Sequence, residues 1–371
     1  MTSYDIAVRG AGAVGRSLAL ALSRQGLSVA LLEAAPRQPQ GPDVRTYALN
    51  AQAVGLLRGL KVWDALPADA ATAVSEMLVH GDAHDSQLEF SAWSQCVDAL
   101  AWIVDAQALD EALATAVRFA PHVTALPADT PVQAPLSALC EGKHSAAREA
   151  LGIGFHTKPY GHTAVAARLV ADRPHEGVAR QWFRSPDILA LLPFDRPRQG
   201  CSYGLVWSMP TERAQAMQAL PDAEFEAALN EACGAAAGHL ALSGPRVGWP
   251  LQLSRAERVC GPGWVLVGDA AHVVHPLSGQ GLNLGLGDVE ALARVIAERE
   301  SWRPLSDEKL LRRYARARAV PTLAMQQLTD GLLHLFEHDT PVLRELRNRG
   351  LNLVNQLTPL KRWLAGRALG T

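Results

Sequence analysis

The chain has 371 residues, of which 48% are hydrophobic and 19% are charged, and 35 basic against 37 acidic side chains give a formal net charge of −2. This composition excludes a disordered, collagen-like or coiled-coil chain, and the balanced charge argues against a general nucleic-acid coat. The length corresponds to roughly two to three domains, with room for a concave site between them.

The cysteines and the apolar runs indicate in which cellular compartment the protein is expected. The five cysteines lie far apart, which argues against a zinc site or a disulfide framework and for a reducing compartment. The apolar run after Arg16 is interrupted by Arg24 and lacks the form of a signal peptide, and no run approaches the ~18 apolar residues of a bilayer span. We therefore expect a cytoplasmic protein that binds neither nucleic acid nor a metal.

The first elements are predicted to form a strand–helix–strand unit. Tyr4–Val8 is a short apolar strand, a glycine turn follows it, Gly15–Gln25 has a helical pattern, and Ser28–Leu32 is a second strand. Such a unit implies a right-handed crossover and a parallel sheet. A further helix is predicted over Ala48–Leu57.

The middle of the chain is rich in predicted strands, and its end is rich in helices. Strands are predicted at Glu76–His80, Leu88–Ser91, Leu100–Val104, Thr163–Val170, Ala179–Phe183, Ile188–Leu192 and Tyr203–Trp207, with helices at Ala108–Phe119 and Phe225–Cys233. The turns between the strands indicate an antiparallel sheet in a second domain. A buried strand of the parallel type then returns at Trp264–Val267, and helices are predicted at Gly281–Arg299, Leu305–Arg318 and Leu323–Phe336.

The first motif is the glycine turn after the first predicted strand. Gly10-Ala11-Gly12-Ala13-Val14-Gly15 matches Gly-x-Gly-x-x-Gly, whose glycines allow a tight turn, the approach of backbone to a pyrophosphate and close packing of helix on strand. The following helix N-terminus offers N–H groups to phosphates. Glu33, at the end of the second strand, can accept hydrogen bonds from an adenosine ribose and would repel a 2′-phosphate. The segment predicts dinucleotide binding, with FAD and NAD both open.

A second glycine-rich segment runs from Gly268 to Asn283, from the end of a predicted strand into a helix. The carboxyl ends of strands are where open α/β sheets bind ligands. Asp269 is placed to bind a polyol, and Gly279 and Gly281 let the backbone lie close to a flat ring. The helix N-terminus at Gly281 offers N–H groups to negative charge that develops on that ring.

Together the two segments resemble the FAD fingerprints of the single-component (class A) flavoprotein aromatic hydroxylases. The second, Gly-Asp-Ala-Ala-His followed by Pro-x-x-Gly-Gln-Gly-x-Asn, is most similar to that of the ubiquinone-biosynthesis hydroxylases. The resemblance implies a p-hydroxybenzoate-hydroxylase-like α/β fold, with a Rossmann-like FAD-binding domain, its parallel sheet interrupted by an antiparallel-sheet substrate domain, and C-terminal helices. We place the FAD-binding domain at 1–70, 95–157 and 255–330, the substrate domain at 71–94 and 158–254, and a C-terminal helical segment at 331–371.

The resemblance also implies the residues of the cofactor site. The ADP half of FAD would be held by Gly10, Gly12, Ala13, Val14, Gly15 and Glu33, with Arg45 beside the cofactor and Gln107 in contact with it. The flavin half would meet Gly268, Asp269, Gly279, Gln280, Gly281, Leu282 and Asn283, with Pro276 lining the ring near the reacting position. His275 is the candidate catalytic histidine, whereas His80, His162 and His175 are interpreted as structural.

The chain departs from the family pattern at two places. The family's middle motif ends in Asp-Gly, and Glu141-Gly142 stands there instead, which bears on the use of a pyridine nucleotide. The segment Val123–Leu139 is short for the family's small strand layer and contains three prolines, which supply no N–H to a ladder. We therefore expect that layer to be reduced or missing.

The resemblance implies an FAD-dependent monooxygenase, with tightly but non-covalently bound FAD, that uses NAD(P)H and O2 to hydroxylate a phenolic ring through a flavin C4a-hydroperoxide. The expected substrate is a polyprenyl phenol of ubiquinone biosynthesis, lying between the flavin and the strands at Thr163–Val170, Ile188–Leu192 and Tyr203–Trp207. Two alternatives stay open: a flavin reductase or dehydrogenase without oxygen activation, and a non-catalytic accessory subunit that binds FAD or a lipid.

The last segment, residues 341–371, is basic and amphipathic. Glu345 is its single acidic residue, several Lys and Arg residues oppose it, and leucines supply an apolar face. Such a segment can contact the inner face of a membrane or a partner protein, and the alternative is a helix packed on the FAD-binding domain with a solvated basic side.

Overall fold

The computed structural model describes residues 3–34, 43–81, 86–274 and 280–337. The strands, in chain order, are β1 (Ile6–Arg9), β2 (Val29–Glu33), β3 (Thr46–Leu49), β4 (Ala71–Val74), β5 (Glu76–His80), β6 (Gln87–Ser91), β7 (Ala101–Asp105), β8 (Val123–Pro127), β9 (Leu136–Leu139), β10 (Phe155–Ala171), β11 (Val178–Arg184), β12 (Asp187–Phe194), β13 (Ser202–Pro210), β14 (Leu240–Leu242), β15 (Val247–Ala256), β16 (Cys260–Gly261), β17 (Trp264–Leu266) and β18 (His272–Val273).

The α-helices are α1 (Ala13–Ser23), α2 (Ala51–Gly59), α3 (Ala92–Gln95), α4 (Ala106–Arg118), α5 (Ala146–Ala150), α6 (Thr211–Ala219), α7 (Asp222–Cys233), α8 (Gln280–Ala297) and α9 (Glu308–Glu337). Short 3-10 turns lie at Trp63–Ala65, Gly234–Ala237 and Gly268–Ala270. Within the described ranges, no helix has both the length and the apolar character that crossing a bilayer requires.

A six-stranded sheet in the order β16-β17-β9-β1-β2-β8 forms the core of the fold. All pairs from β17 to β8 are parallel, and the central strands are buried on both faces, as their continuous apolar sequences predict. Because parallel strands end at the same edge, the segments that follow β1, β9 and β17 and the end of β2 lie along one edge of this sheet. That edge carries both glycine segments.

The second sheet is larger and mostly antiparallel, in the order β18-β15-β10-β13-β12-β11-β5-β6, with β14 paired to β10. Its long strand β10 pairs with both β13 and β15. One face is covered by α6 and α7, where Tyr203 and Trp207 pack with Phe225. The other face approaches the small sheet β3-β7-β4 so closely that a Cβ at Gly204 would lie 2.7 Å from Thr46 Oγ1.

An arginine joins the large sheet to the small one. Arg168 of β10 donates from Nη1 to Asp105 Oδ2 at 2.8 Å and from Nη2 to the Asp43 carbonyl oxygen at 3.0 Å. Arg196 adds a second positive charge, 3.7 Å from the same Asp105 oxygen. Because Asp105 is buried, these partners offset the cost of removing its charge from water, and they tie the antiparallel sheet to the segment that leads into β3.

Most of the predicted elements are confirmed, and two predictions are wrong. The helix predicted over Ala48–Leu57 is a strand that ends at Leu49 and a helix that begins at Ala51, because Asn50 Oδ1 accepts the Ala53 N–H as a helix cap. The two predicted C-terminal helices are one helix, α9, with Pro321 inside it. Pro321 removes one N–H, but the helix continues past it.

The expected loss of a strand layer after β8 is confirmed. Strands β8 and β9 both join the parallel sheet, and residues 128–135 between them form no strand. Pro127 lies at the end of the edge strand β8, where a missing N–H breaks no inner ladder. The domain boundaries drawn from the sequence stay a prediction.

Candidate cofactor site

The first glycine turn closes tightly against the strand β9. Gly10 has a φ of +101°, and a Cβ there would lie 2.5 Å from the Cys140 carbonyl oxygen. A Cβ at Gly15 would lie 1.8 Å from the Gly10 carbonyl oxygen. Both positions therefore require glycine for α1 to pack onto the sheet.

Gly12 lies between these two glycines and has a different environment. A Cβ there would meet no atom within 4 Å, and its φ of −74° is accessible to any residue. Helix α1 begins directly after Gly12, with no side-chain cap and no acidic residue in its first turn. The N–H groups of that turn keep a partial positive charge toward open space, which is an arrangement that binds phosphate.

Glu33 ends β2 at the same edge of the sheet and is partly exposed. Arg16 of α1 lies beside it, with 3.9 Å between Arg16 Nη2 and Glu33 Oε1. The same guanidinium donates to Asp110 Oδ1 at 2.6 Å, so Arg16 pairs mainly with Asp110. The Glu33 carboxylate thus stays accessible to the hydroxyl groups of a ribose.

The second glycine segment is in direct contact with the first. Gly268, with a φ of +65°, and Gly285 of α8 both face Val14 of α1. A Cβ at Gly268 would lie 3.2 Å from Val14 Cγ1, and a Cβ at Gly285 would lie 2.7 Å from Val14 Cγ2. The fold therefore brings together two segments from opposite ends of the chain, as both fingerprints require.

Asp269 places a carboxyl group in a concavity beside this contact. Its side chain reaches solvent, but the surrounding protein is dense enough that burial raises the pKa of the carboxyl, although His272 and Lys143 act to lower it. Among the described residues none donates a hydrogen bond to it. A carboxyl that is accessible, partly desolvated and without a hydrogen-bond donor is typical of a binding site.

Tyr47 of β3 lies near the same concavity. Burial raises the pKa of its phenol, Arg45 acts to lower it, and the negative charges of Asp43, Asp269 and Asp110 act to raise it. Such charge effects are strong only within about 10 Å. The negative charge of Asp269 therefore reaches Tyr47. We call the region between the N-terminus of α1, Asp269 and Tyr47 the cofactor groove. Tyr47 was not predicted as a site residue from the sequence, because a tyrosine in a short strand is common in any core.

Arg45 and Gln107 are both engaged with neighbours on their own segments. Arg45 forms a fork with Asp43, at 2.9 Å from Nε to Oδ1 and 2.6 Å from Nη2 to Oδ2, and this pairing raises the pKa of the guanidinium. Gln107 is exposed in the first turn of α4 and donates from Nε2 to Glu111 Oε1 at 2.8 Å. Their contact with a cofactor stays a prediction.

The first turn of α8 is held against β3 by Asn283. Its Oδ1 accepts the Asn50 N–H at 3.0 Å, and its Nδ2 donates to the Ala48 carbonyl oxygen at 2.8 Å. Gly281 has open space where a Cβ would lie, whereas Leu282 packs on the main core. The amide of Asn283 thus fixes the position of the helix N-terminus.

Glu141 caps a helix beside the groove. Its Oε2 accepts the Ser145 hydroxyl at 2.5 Å and the Ala147 N–H at 3.0 Å, at the start of α5. Arg148 of α5 is buried and donates to the carbonyl oxygens of Lys143 at 2.9 Å and of Ala270 at 3.1 Å. The segment with the Asp-to-Glu change is therefore ordered and tied directly to the residue after Asp269.

Several predicted site residues lie outside the described part of the chain, namely His275, Pro276 and Gly279. Gln280 begins α8, and only its backbone is described. Of the histidines interpreted as structural, His162 Nδ1 donates to the Tyr160 carbonyl oxygen at 2.9 Å and His175 Nδ1 accepts the Gly177 N–H at 3.0 Å, while His80 stacks on Trp182.

Comparison with known proteins identifies the family. An FAD binding domain family matches residues 3–130 and 120–329 of this chain. The chain is 31% identical to a ubiquinone hydroxylase, UbiL, of Rhodospirillum rubrum, over 99% of this chain and 90% of that protein. It is 30% identical to the 3-demethoxyubiquinol 3-hydroxylase of Escherichia coli, over 99% of this chain and 98% of that protein. The chain belongs to the FAD-dependent monooxygenases.

A solved structure of another monooxygenase has the same fold. The crystal structure of p-nitrophenol 4-monooxygenase PnpA from Pseudomonas putida aligns with a TM-score of 0.77 at 17% identity, over 99% of this chain and 98% of that one. The predicted architecture, a parallel-sheet FAD-binding domain interrupted by an antiparallel sheet, is thereby confirmed. The residues of the groove fit FAD, because Gly12 leaves open space at a helix N-terminus and Asp269 has an accessible carboxyl without a donor.

Substitutions of Gly15 and Gly12 in the first turn are expected to have different effects, one on stability and the other on FAD binding. Gly15→Ala is expected to lower the free energy of unfolding by about 1–3 kcal/mol or more, because its Cβ would collide with the Gly10 carbonyl. Gly12→Ala is expected to change stability by about 0.5 kcal/mol at most, but to weaken FAD binding about tenfold or more, because its methyl group enters the space open to phosphate. Urea unfolding of the apoprotein and FAD titration by flavin fluorescence measure the two quantities, and equal FAD affinity of Gly12→Ala and wild type would contradict the assignment.

Asp269 is expected to favour FAD binding at the expense of stability. Its pKa is raised in the folded apoprotein, so the carboxyl stabilises the fold most when protonated, and this contribution is lost as pH rises through the folded pKa. Asp269→Asn should therefore bind FAD at least about tenfold more weakly, while its apo melting temperature at neutral pH equals or exceeds that of wild type. Asp269→Ala should lose FAD. Stoichiometric flavin in purified Asp269→Ala would remove Asp269 from the site.

Proposed function

We propose that this protein hydroxylates the aromatic ring of a ubiquinone precursor, with FAD as cofactor, NAD(P)H as reductant and O2 as oxidant. The observation that carries the proposal is the contact of Val14 with Gly268 and Gly285, because it joins two FAD fingerprints around one groove. The relatives named as a ubiquinone hydroxylase and a 3-demethoxyubiquinol 3-hydroxylase support the substrate class, since they align over almost the whole chain.

Each part of the cofactor groove is proposed to bind a different part of FAD. The N–H groups at the start of α1 bind the pyrophosphate, and Glu33 accepts hydrogen bonds from the ribose. Asp269 holds the ribityl chain, and the first turn of α8, fixed by Asn283, offers N–H groups to negative charge on the flavin ring. Bound FAD supplies the redox and oxygen chemistry, and the protein positions the ring and excludes water.

The substrate side of the groove is proposed to be the face of the large sheet opposite α6 and α7. Strand register puts Ala166 beside Val206, and Val206 beside Ala190, on the same face as Gly204. Tyr203 and Trp207, which fall within the predicted lining segments, point to the other face and pack on the helices. Ala166, Val206 and Ala190 are small and apolar, which suits a flat aromatic ring, and the larger Arg168 and Leu192 lie beside Gly204 on the same face. Neither His275 nor any other side chain needs to act as an acid or base in this proposal.

The test is aerobic turnover of the purified flavoprotein with NADH or NADPH, a short-chain 2-polyprenylphenol and 18O2. We expect anaerobic NAD(P)H to bleach the flavin, and aerobic turnover to add one 18O atom to the ring, whereas Asp269→Ala should do neither. NAD(P)H oxidation that yields only hydrogen peroxide with every phenol would favour a reductase. A flavin that neither NADH nor NADPH bleaches would favour an accessory subunit.

We also propose that residues 341–371, which lie outside the described part of the chain, bring the protein to a membrane surface where a polyprenylated substrate is dissolved. The basic and apolar residues of this segment support the proposal, because such segments bind anionic lipid.

The membrane proposal predicts that the full chain sediments with anionic vesicles at low salt and is released as salt screens the charges. Neutral vesicles should leave it in the supernatant, and Lys361→Glu with Arg362→Glu should weaken sedimentation without changing the flavin content. No difference between anionic and neutral vesicles would refute the proposal.

A further inference from the structure

Asp288 of α8 is fully buried, and donors from three other parts of the fold meet its carboxylate. The Gly268 N–H donates to Oδ2 at 2.9 Å, and His272 Nε2 lies 2.8 Å from the same oxygen. Arg318 Nε of α9 donates to Oδ1 at 2.5 Å. A buried carboxylate without partners costs several kcal/mol, so this convergence is what allows an acidic residue at the position.

The bonds of Asp288 fix both ends of the segment that carries Asp269. Gly268 comes directly before Asp269 and holds its left-handed conformation, with a φ of +65°, while its N–H is bound to Asp288. His272 comes shortly after Asp269, and its backbone pairs with Arg255 of β15. The Asp269 side chain therefore projects into the cofactor groove from a segment that Asp288 holds on either side.

Helix α9 completes this arrangement from outside both glycine segments. Arg318 donates a further bond from Nη2 to the Leu284 carbonyl oxygen at 3.1 Å, and a Cβ at Gly287 would lie 3.1 Å from Arg318 Nη1. Gly287 thus makes room for the guanidinium. Tyr314, one turn earlier on α9, donates to the Leu266 carbonyl oxygen at 2.9 Å, at the end of the strand that leads to Gly268.

The charge of Arg318 matters to the groove as well as to α9. Burial acts to raise the pKa of Asp288, but His272, Arg318 and the Gly268 N–H together hold that pKa below its ordinary value. The ionised Asp288 is itself one of the groups that raise the pKa of Asp269. Without Arg318, the Asp288 carboxylate would lose part of the positive charge that compensates it, and its negative charge would act more strongly on Asp269. Asp288 would also no longer be held in place by α9, so it would position the Gly268–His272 segment less firmly.

We propose that Arg318 and Asp288 are positioning residues for FAD, which act through the Gly268–His272 segment and make α9 part of the cofactor site. The inference rests on the FAD site proposed above. Neither residue needs to touch the cofactor, and Arg318 lies in a helix that neither glycine fingerprint includes.

The test compares two arginines of the same helix. Arg318→Met removes the partner of Asp288, whereas Arg313→Met removes a partner of Glu300 in a half-exposed ion pair. We expect Arg318→Met to raise the Kd for FAD about tenfold or more, and Arg313→Met to leave it within about twofold of wild type. The Kd is measured on apoprotein by flavin fluorescence, at a temperature well below the melting transition of each variant.

Further variants separate positioning from simple stability. Asp288→Asn should also weaken FAD binding, and Asp288→Asn with Arg318→Met should restore part of the affinity, because the two charges are then removed together. Arg318→Lys keeps the charge and serves if Arg318→Met does not fold, with an expected Kd between wild type and Asp288→Asn. A lowered melting temperature with an unchanged Kd in Arg318→Met and Asp288→Asn would overturn the proposal. Normal FAD binding by Asp269→Ala would instead show that the cofactor site itself is misassigned.

Discussion

The packing of Val14 against Gly268 and Gly285 determines how the two ends of the chain meet. This contact is close because neither glycine has a Cβ, and a methyl group at Gly285 would lie 2.7 Å from Val14 Cγ2. It sets the distance between the N-terminus of α1 and the Asp269 carboxyl, which come from different crossovers of one parallel sheet. Since β9 lies between β1 and β17, the groove can extend across the edge of three strands. A larger residue at either glycine would separate the two halves of the groove.

Three polar side chains that support the groove have several hydrogen-bond partners, whereas two groups assigned to FAD binding are open. Behind it, Asp288, Glu141 and Arg148 each have several partners at hydrogen-bond distance. At the front, the α1 N-terminus has no side-chain cap and Asp269 has no donor among the described residues. Because these bonds already fix the supporting groups in the folded protein, little conformational entropy is lost in ordering them when a ligand binds.

The sequence predicted the local elements of the site better than their partners. Gly10, Gly12 and Asp269 were found because a glycine turn and a strand end are local features that short motifs describe. The end of the strand Thr46–Leu49, from Ala48, was predicted as the start of a helix, because its pairing with β7 is a long-range contact that no local pattern reveals. Asp288 was missed for the same reason, since its three partners lie on the Gly268 turn, on β18 and on α9. Strand β15, which the sequence analysis did not predict, holds a proline and a glycine that weaken a strand pattern.

One face of the large sheet carries a patch of small residues, and this patch bears on the proposed substrate recognition. Tyr203 and Trp207 pack with Phe225 on the face that α6 and α7 cover. On the opposite face, Phe194 and Leu192 at the end of β12 pack against the small sheet. Next to this packed end of the face, Ala166, Val206 and Ala190 are small. A hydroxyl with no partner among the described residues, Ser208 Oγ, is a polar group on that face. Such a surface holds a flat, neutral ring by its shape, and discrimination between ring substituents then depends on how closely the cofactor groove and this face approach each other.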